Sequence, residues 1–163
     1  MSNSFTSPQA LTKKEIHIAG LDSLQRLSLS LQKKCPLQPI TIFLYGDLGS
    51  GKTTFTRIWL HNHGYLDKVP SPSFGLVQSY DIAGRYYHHF DCYRTKSVQQ
   101  LIDMDIDYYL DGTATLLVEW PQHGMEQLCQ PDLSIHFFPI TNKLGARRLC
   151  IQSYNSQICV DDL

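Results

Sequence analysis

Apolar residues recur along this chain with two different periods. Leu24, Leu27 and Leu31 are three and four residues apart, so they share one face of a helix that reaches about Lys34. Phe55, Ile58 and Trp59 keep the same spacing in a second helix, and Gly64 stands where a helix C-terminus favours a left-handed residue. Between these helices, Ile40-Thr41-Ile42-Phe43-Leu44-Tyr45 is a short apolar run that reads as a strand. Thr115-Leu116-Leu117-Val118 is continuous and apolar, as a central parallel strand buried on both faces would be. Gly75–Asp81 and Tyr86–Asp91 read as an antiparallel hairpin turning at Ala83-Gly84. Leu133–Phe138 and Arg148–Tyr154 add two strands with turn residues from Asn142 to Gly145 between them, and Glu15–Ile18 adds a short one.

Polar punctuation sets the element ends. Asp22 with Gln25 three residues on has the capping-box pattern of a helix start, and Pro36 and Pro39 close that helix. Ser97 and Gln100 repeat the pattern before a short helix, and Asp103 to Leu110 reads as a further helical turn or two. In Val69-Pro70-Ser71-Pro72-Ser73-Phe74 the two prolines hold their neighbours extended, which makes a stiff, shaped loop. Helices alternating with strands predict an α/β fold: a P-loop NTPase-like, mostly parallel sheet flanked by helices, with one antiparallel hairpin. Residues 13–155 form the expected single domain, between a loose N-terminal tail (1–12) and a C-terminal tail (156–163).

Composition narrows the setting. A chain of 163 residues suffices for one core, and 42% hydrophobic with 18% charged residues is globular. With 14 basic and 15 acidic residues there is no electrostatic footprint for strong binding to nucleic acid or an anionic membrane. No apolar run approaches the ~20 residues of a membrane span. The first residues, Met1-Ser2-Asn3-Ser4-Phe5, lack the regions of a secretory signal, and the five cysteines show no C-x-x-C spacing. Both features predict a cytoplasmic protein with reduced thiols.

The candidate chemistry centres on Gly46-Asp47-Leu48-Gly49-Ser50-Gly51-Lys52-Thr53, which matches G-x-x-x-x-G-K-[ST] between a strand and a helix. In that context the glycines let successive N–H groups turn toward phosphate oxygens, and the helix start adds unpaired amides and its positive dipole end. Lys52 reaches phosphates as a point charge, and the Thr53 hydroxyl can ligate Mg²⁺. Ligands of parallel α/β sheets sit beyond the carboxyl ends of the strands. Glu119 follows an apolar strand at such an end, where a Walker-B-type acid reaches the Mg²⁺ shell, and Asp91 ends another strand. His61 with His63, and His88 with His89, have spacings that point the paired rings apart, against a shared metal. The Tyr86-Tyr87 and Phe137-Phe138 pairs read as core or partner surface rather than base-stacking platforms. Arg147-Arg148 reads as a surface basic pair, the alternative being that one of the two reaches a nucleotide from the last strands.

Four segments together resemble the TsaE (YjeE) family: Tyr45-Gly46-Asp47-Leu48-Gly49-Ser50-Gly51-Lys52-Thr53-Thr54-Phe55, Ser71-Pro72-Ser73-Phe74, His89-Phe90-Asp91-Cys92-Tyr93-Arg94 and Glu119-Trp120-Pro121. They occur in the family's order and spacing, over roughly residues 15–150. The resemblance implies a small ATPase that assists formation of N6-threonylcarbamoyladenosine at position 37 of tRNAs decoding ANN codons. It implies TsaB and TsaD as partners, with tRNA met only through that complex. ATP and Mg²⁺ are the implied cofactors. By the same resemblance, Asp47, Leu48, Gly49, Ser50, Gly51, Lys52, Thr53 and Thr54 hold ATP. Thr53, Asp91 and Glu119 serve the metal, Lys52, Asp91 and Glu119 serve hydrolysis, Ser73 sits in a switch near the γ-phosphate, and Trp120 lies close to the nucleotide. This chain departs from the family pattern with Ser73 for Thr, Cys92 for Leu, and Leu24 and Ser28 where the first helix often has Thr and Gly. Two other readings use the same loop. A small-molecule kinase would need an acceptor module and an Arg-rich lid that the chain does not show. A nucleotide-gated module without relevant hydrolysis would leave Asp91 and Glu119 unused.

Overall fold

The computed structural model describes residues 8–35, 39–141 and 145–163. Pro36, Asn142 and residues 1–7 of the expected N-terminal tail lie outside the described residues. One sheet contains β1 (Thr12–Ile18), β2 (Thr41–Tyr45), β3 (Val77–Ile82), β4 (Arg85–Asp91), β5 (Ala114–Glu119), β6 (Leu133–Pro139) and β7 (Arg147–Ser153). Their spatial order is β1-β7-β6-β2-β5-β4-β3. The α-helices are α1 (Leu21–Lys34), α2 (Lys52–Asn62) and α3 (Val98–Ile102). The α/β class is as expected, and the parallel pairing is central. Strands β6, β2, β5 and β4 run together, while β3 and the β7–β1 pair are antiparallel additions at the two edges.

Strand alternation sorts the core into two layers. Ile42 and Leu44 of β2, Leu117 of β5, and Ile135 and Phe137 of β6 pack with Leu24, Leu27 and Leu31 of α1 and Phe55, Trp59 and Leu60 of α2. The intervening residues Phe43, Leu116, Val118 and Phe90 face the other way, onto Leu101, Ile106 and Met125. Fully burying each such side chain is worth about 1.5–3 kcal/mol, so the sheet's central strands are its most firmly held part. Both departures in α1 belong to this packing. Leu24 is in the first layer, and buried Ser28 accepts a hydrogen bond from Asn62 Nδ2 of α2 (3.3 Å).

The element ends show where local signals held. Gly64 (φ 101°) donates to His61 O at 2.9 Å, and Tyr65 N to Leu60 O at 3.1 Å, the Schellman closure expected for α2. Ala83 (φ 52°) and Gly84 (φ 79°) give the hairpin a two-residue turn of the kind that matches strand twist. The α1 start is corrected. Asp22 lies inside the first turn, and Ser23 Oγ caps instead, accepting from Ala19 N (2.9 Å) and Gly20 N (3.1 Å). At α3 the Ser97 side chain makes no capping bond, and Gln100 Oε1 accepts from Lys96 N at 2.7 Å. β1 begins at Thr12, inside the expected tail, because the β7 ladder continues to Ser153. Residues 156–163 also depart from the expectation of a tail: Ile158 and Val160 are buried in the first core layer.

Candidate functional site

The loop between β2 and α2 is shaped by its glycines. Gly46 (φ 140°), Gly49 (φ 76°) and Gly51 (φ 115°) all take conformations that side-chain-bearing residues rarely adopt. At Gly46 space is also short: a Cβ there would meet Phe137 O and Ser50 Oγ, each at 2.7 Å. The loop folds on itself through Ser50 N donating to Asp47 O (3.1 Å), and α2 then begins at Lys52. The first-turn amides of α2 and its dipole therefore face the loop's concave side. Leu48 stands outside this cradle, 76% exposed, and Thr54 is half-buried one residue past Thr53.

Lys52 is buried and turned back into the loop. Its Nζ donates to Gly46 O (2.6 Å) and Asp47 O (2.9 Å) and lies 4.1 Å from the centroid of the Trp120 ring. Burial pulls the lysine pKa below its ordinary value, while the carboxylates of Glu119, Asp91 and Asp47 pull it back up. Trp120 reaches this position because its own backbone is left-handed (φ 57°), which turns the chain at once after the strand. A bulky residue held there carries strain of about 1–3 kcal/mol, of the sort that gathers at functional sites.

Two carboxylates close the site from β4 and β5. Parallel pairing sets Asp91 opposite Glu119, and Leu44 of β2 opposite Glu119, so the strand ends are level with the start of the loop. Glu119 is 2% exposed and has both oxygens engaged. Thr53 Oγ1 donates to Oε2 at 3.0 Å, and His89 Nε2 lies 2.8 Å from Oε1. Asp91 is equally enclosed. Ser71 Oγ and Ser73 Oγ both donate to its Oδ2 (2.5 and 2.7 Å), and Tyr93 N donates to Oδ1 (3.1 Å). The proline-rich loop is thus tied to the strand end by its two serines.

The expected residues Lys52, Thr53, Asp91, Glu119, Ser73 and Trp120 come together around one cradle. Two further participants stand beside them. His89 enters the sequence reading as half of a rejected metal pair and as the first residue of a family-like segment, with no role of its own. Yet alternation along β4 puts it on the same face as Asp91, next to Glu119. Arg147 departs from the reading of a surface basic pair: Nε donates to Ser50 O (2.9 Å) and Nη2 to Gly49 O (3.3 Å). Arg148 fits that reading, pairing with Glu15 (3.2 Å) and lying over the Phe138 ring. Chemically, the cradle offers inward amides, one ammonium, and a hydroxyl and two carboxylates. Such a set suits a phosphate held next to hard oxygen donors. Among the described residues no group of three or more His, Cys, Asp or Glu could hold a metal by itself. No helix among them is long and apolar enough to cross a membrane.

Known proteins resemble this chain in sequence and fold. A protein-family model described as "Threonylcarbamoyl adenosine biosynthesis protein TsaE" matches residues 18–149. A protein of Haemophilus influenzae named tRNA threonylcarbamoyladenosine biosynthesis protein TsaE is 39% identical over 97 residues, 60% of this chain and 61% of that one. A Bacillus subtilis protein of the same name is 38% identical over 92 residues, 56% of this chain and 57% of that one. The chain thus spans about three fifths of the length of these two curated relatives. The crystal structure of Bacillus subtilis YdiB has the same fold, with a TM-score of 0.72 at 23% identity, covering 90% of this chain and 89% of that one. With 18–149 matched from the end of β1 into β7, the loop and both strand-end carboxylates included, the chain belongs to the TsaE family.

Proposed function

We propose that this chain binds Mg-ATP in the β2–α2 cradle, hydrolyses it slowly, and through that cycle serves the TsaB–TsaD pair. That pair forms N6-threonylcarbamoyladenosine at position 37 of tRNAs decoding ANN codons, and it holds the tRNA. The observation that carries the reading is the Thr53–Glu119 hydrogen bond at 3.0 Å. It joins the P-loop hydroxyl to a buried strand-end acid with Asp91 opposite it. Hard oxygen donors of this kind suit Mg²⁺, which keeps waters and takes one or two carboxylates plus phosphate oxygens. Thr53 and Glu119 would hold the ion with Asp91 beside them. Bound there, Mg²⁺ would neutralise charge on the phosphoryl oxygens.

The chain's own residues account for the rest. The loop amides and the α2 N-terminus bind the phosphates, and Lys52 exchanges its bonds to Gly46 O and Asp47 O for bonds to phosphate oxygens. Asp91 orients the attacking water, and its release from Ser71 and Ser73 couples the proline-rich loop to the γ-phosphate. His89 fixes the Glu119 carboxylate. The five unpaired thiols favour a reducing, cytoplasmic setting.

Calorimetry with ATP and Mg²⁺ tests the binding half. Lys52→Ala should lose about ten- to a hundredfold in affinity, since a charge-assisted hydrogen bond contributes about 1.5–3 kcal/mol. Unchanged affinity would remove the assignment of the cradle. Phosphate release and tRNA modification, measured with and without TsaB and TsaD, test the second half. Modification that proceeds equally well without this chain would refute the accessory role.

A further inference from the structure

We propose that Arg147 is a positioning residue of the phosphate cradle, pinning the Gly49–Ser50 and Ser50–Gly51 peptide planes so that the Gly51 N–H stays turned inward. This rests on the reading of the β2–α2 loop as a phosphate site and goes one step beyond it, to what keeps the loop in its binding form.

In a trans peptide the carbonyl and the following N–H lie in one plane and point in opposite directions. Holding Ser50 O therefore fixes where Gly51 N–H points, and holding Gly49 O does the same for Ser50 N–H. The latter already donates to Asp47 O, within the loop's own turn. The plane between Ser50 and Gly51 is the weak point. Gly51 lacks the Cβ that would restrict its φ, so this peptide can turn over at little steric cost. Within the loop, Gly51 N–H has no partner comparable to the Ser50 turn, and its plane is held from the carbonyl side instead.

Arg147 supplies that hold. Nε donates to Ser50 O at 2.9 Å and Nη2 to Gly49 O at 3.3 Å, while Nη1 donates to Ala146 O at 2.8 Å and anchors the guanidinium to its own strand. The fork reaches two successive carbonyls from 97 and 98 residues away in sequence. It can do so because Arg147 opens β7 opposite Pro139 of β6 and Ile18 of β1, at the edge where the loop leaves the sheet. A guanidinium is planar, always charged and rigid, so one side chain restrains both planes. A lysine in its place could hold one carbonyl at a time. The charge also lies directly behind the cradle, where it favours a polyanion.

The test compares Arg147→Gln, Arg147→Lys and the neighbouring Arg148→Gln with the wild-type chain. ATP affinity is measured by calorimetry, melting temperature by thermal unfolding, and amide hydrogen exchange at Gly49, Ser50 and Gly51 without nucleotide. The expected result is a loss of about tenfold in ATP affinity for Arg147→Gln, a smaller loss for Arg147→Lys and none for Arg148→Gln. Exchange at Ser50, whose N–H donates to Asp47 O in the plane that Arg147 holds through Gly49 O, should quicken in Arg147→Gln while the melting temperature stays within a few degrees. Wild-type affinity in Arg147→Gln would overturn the proposal and leave the phosphate site standing. An affinity loss that follows a large drop in melting temperature, with Ser50 exchange quickened no more than that of the core strands, would overturn it as well, making Arg147 a stabilising residue only. A wild-type chain that binds no ATP would overturn the phosphate site itself and the proposal with it.

Discussion

Replacing Gly46 with alanine separates the two reasons for a glycine in this loop. Gly46 has φ 140°, and a Cβ built on it falls 2.7 Å from Phe137 O and 2.7 Å from Ser50 Oγ. Gly49 has φ 76°, and a Cβ there meets nothing within 4 Å. Gly49→Ala therefore carries conformational cost alone, about 1–2 kcal/mol for an L-residue in the left-handed region. Gly46→Ala carries a similar cost plus a clash. Ser50 Oγ can rotate away, but Phe137 O is backbone within β6 and cannot yield without moving the strand. Overpacking of that kind typically costs about 1–3 kcal/mol, so the total is about 2–5 kcal/mol. The unfolded-state gain from a glycine-to-alanine change is the same at both sites and cancels in the comparison. For a domain of this size about 1 kcal/mol moves the melting temperature by roughly 2–4 °C. The clash of about 1–3 kcal/mol should then make Gly46→Ala melt about 2–12 °C below Gly49→Ala, and urea unfolding with unchanged slope should give the same order. Equal losses, or a larger loss at Gly49, would refute the claim that the β6 backbone sets the shape of the loop.

Three other outcomes follow from the site and its surroundings. Asp91→Asn and Glu119→Gln should keep ATP affinity within about tenfold yet slow single-turnover hydrolysis by at least tenfold, about 1.4 kcal/mol of barrier; normal hydrolysis in either would return that residue to a structural part, and lost hydrolysis with undiminished repeated tRNA modification would favour a nucleotide-gated module. Nucleotide should change tryptophan emission, because phosphates compete with the Trp120 ring for Lys52 Nζ at 4.1 Å, and Trp120→Phe should remove most of the response. Trp59, 2% exposed in the core, should be silent, and a response abolished by Trp59→Phe would contradict that placement. Burial lowers the pKa of His63, His88 and His136 below the ordinary 6.5, so the unfolded chain takes up protons before the folded one. Their contribution to stability is complete above pH 6.5 and is lost as pH falls from 6.5 through the depressed values, and urea midpoints that do not fall between about pH 7.5 and 5.5 would refute it.

The parts of the fold and site that could be read from sequence are those carried by contiguous residues. The β2 strand, the glycine loop and α2 announce themselves within about 25 residues. The two hairpin strands declare a turn through Ala83-Gly84, whose φ values of 52° and 79° are what that turn requires. Glu119 and Asp91 were readable for a different reason: parallel strands all end at one edge of the sheet, so a carboxylate closing such a strand is near the loop whatever the register. The helix caps were less readable, because Ser23 and Asp22 are adjacent and either can cap α1. What decides is which backbone N–H groups face the side chain, and that depends on the angle at which the chain enters the helix from β1.

His89 and Arg147 escaped because their roles depend on pairing between distant segments. Alternation states that His89 and Asp91 share a face of β4, but not which face. A slip of one residue would turn both away from Glu119 and α2. Parallel register against β5 settles the matter by placing His89 beside Leu117 and Asp91 beside Glu119. Arg147 was hidden by strand direction. The carboxyl ends of β2, β4, β5 and β6 mark the edge where a ligand is expected, which draws attention to last residues and away from first ones. Because β7 runs antiparallel to β6, its first residue comes to that same edge, opposite Pro139 at the end of β6. In a mixed sheet the residues to search are therefore the last of each parallel strand and the first of each antiparallel one, and Arg147 is the first.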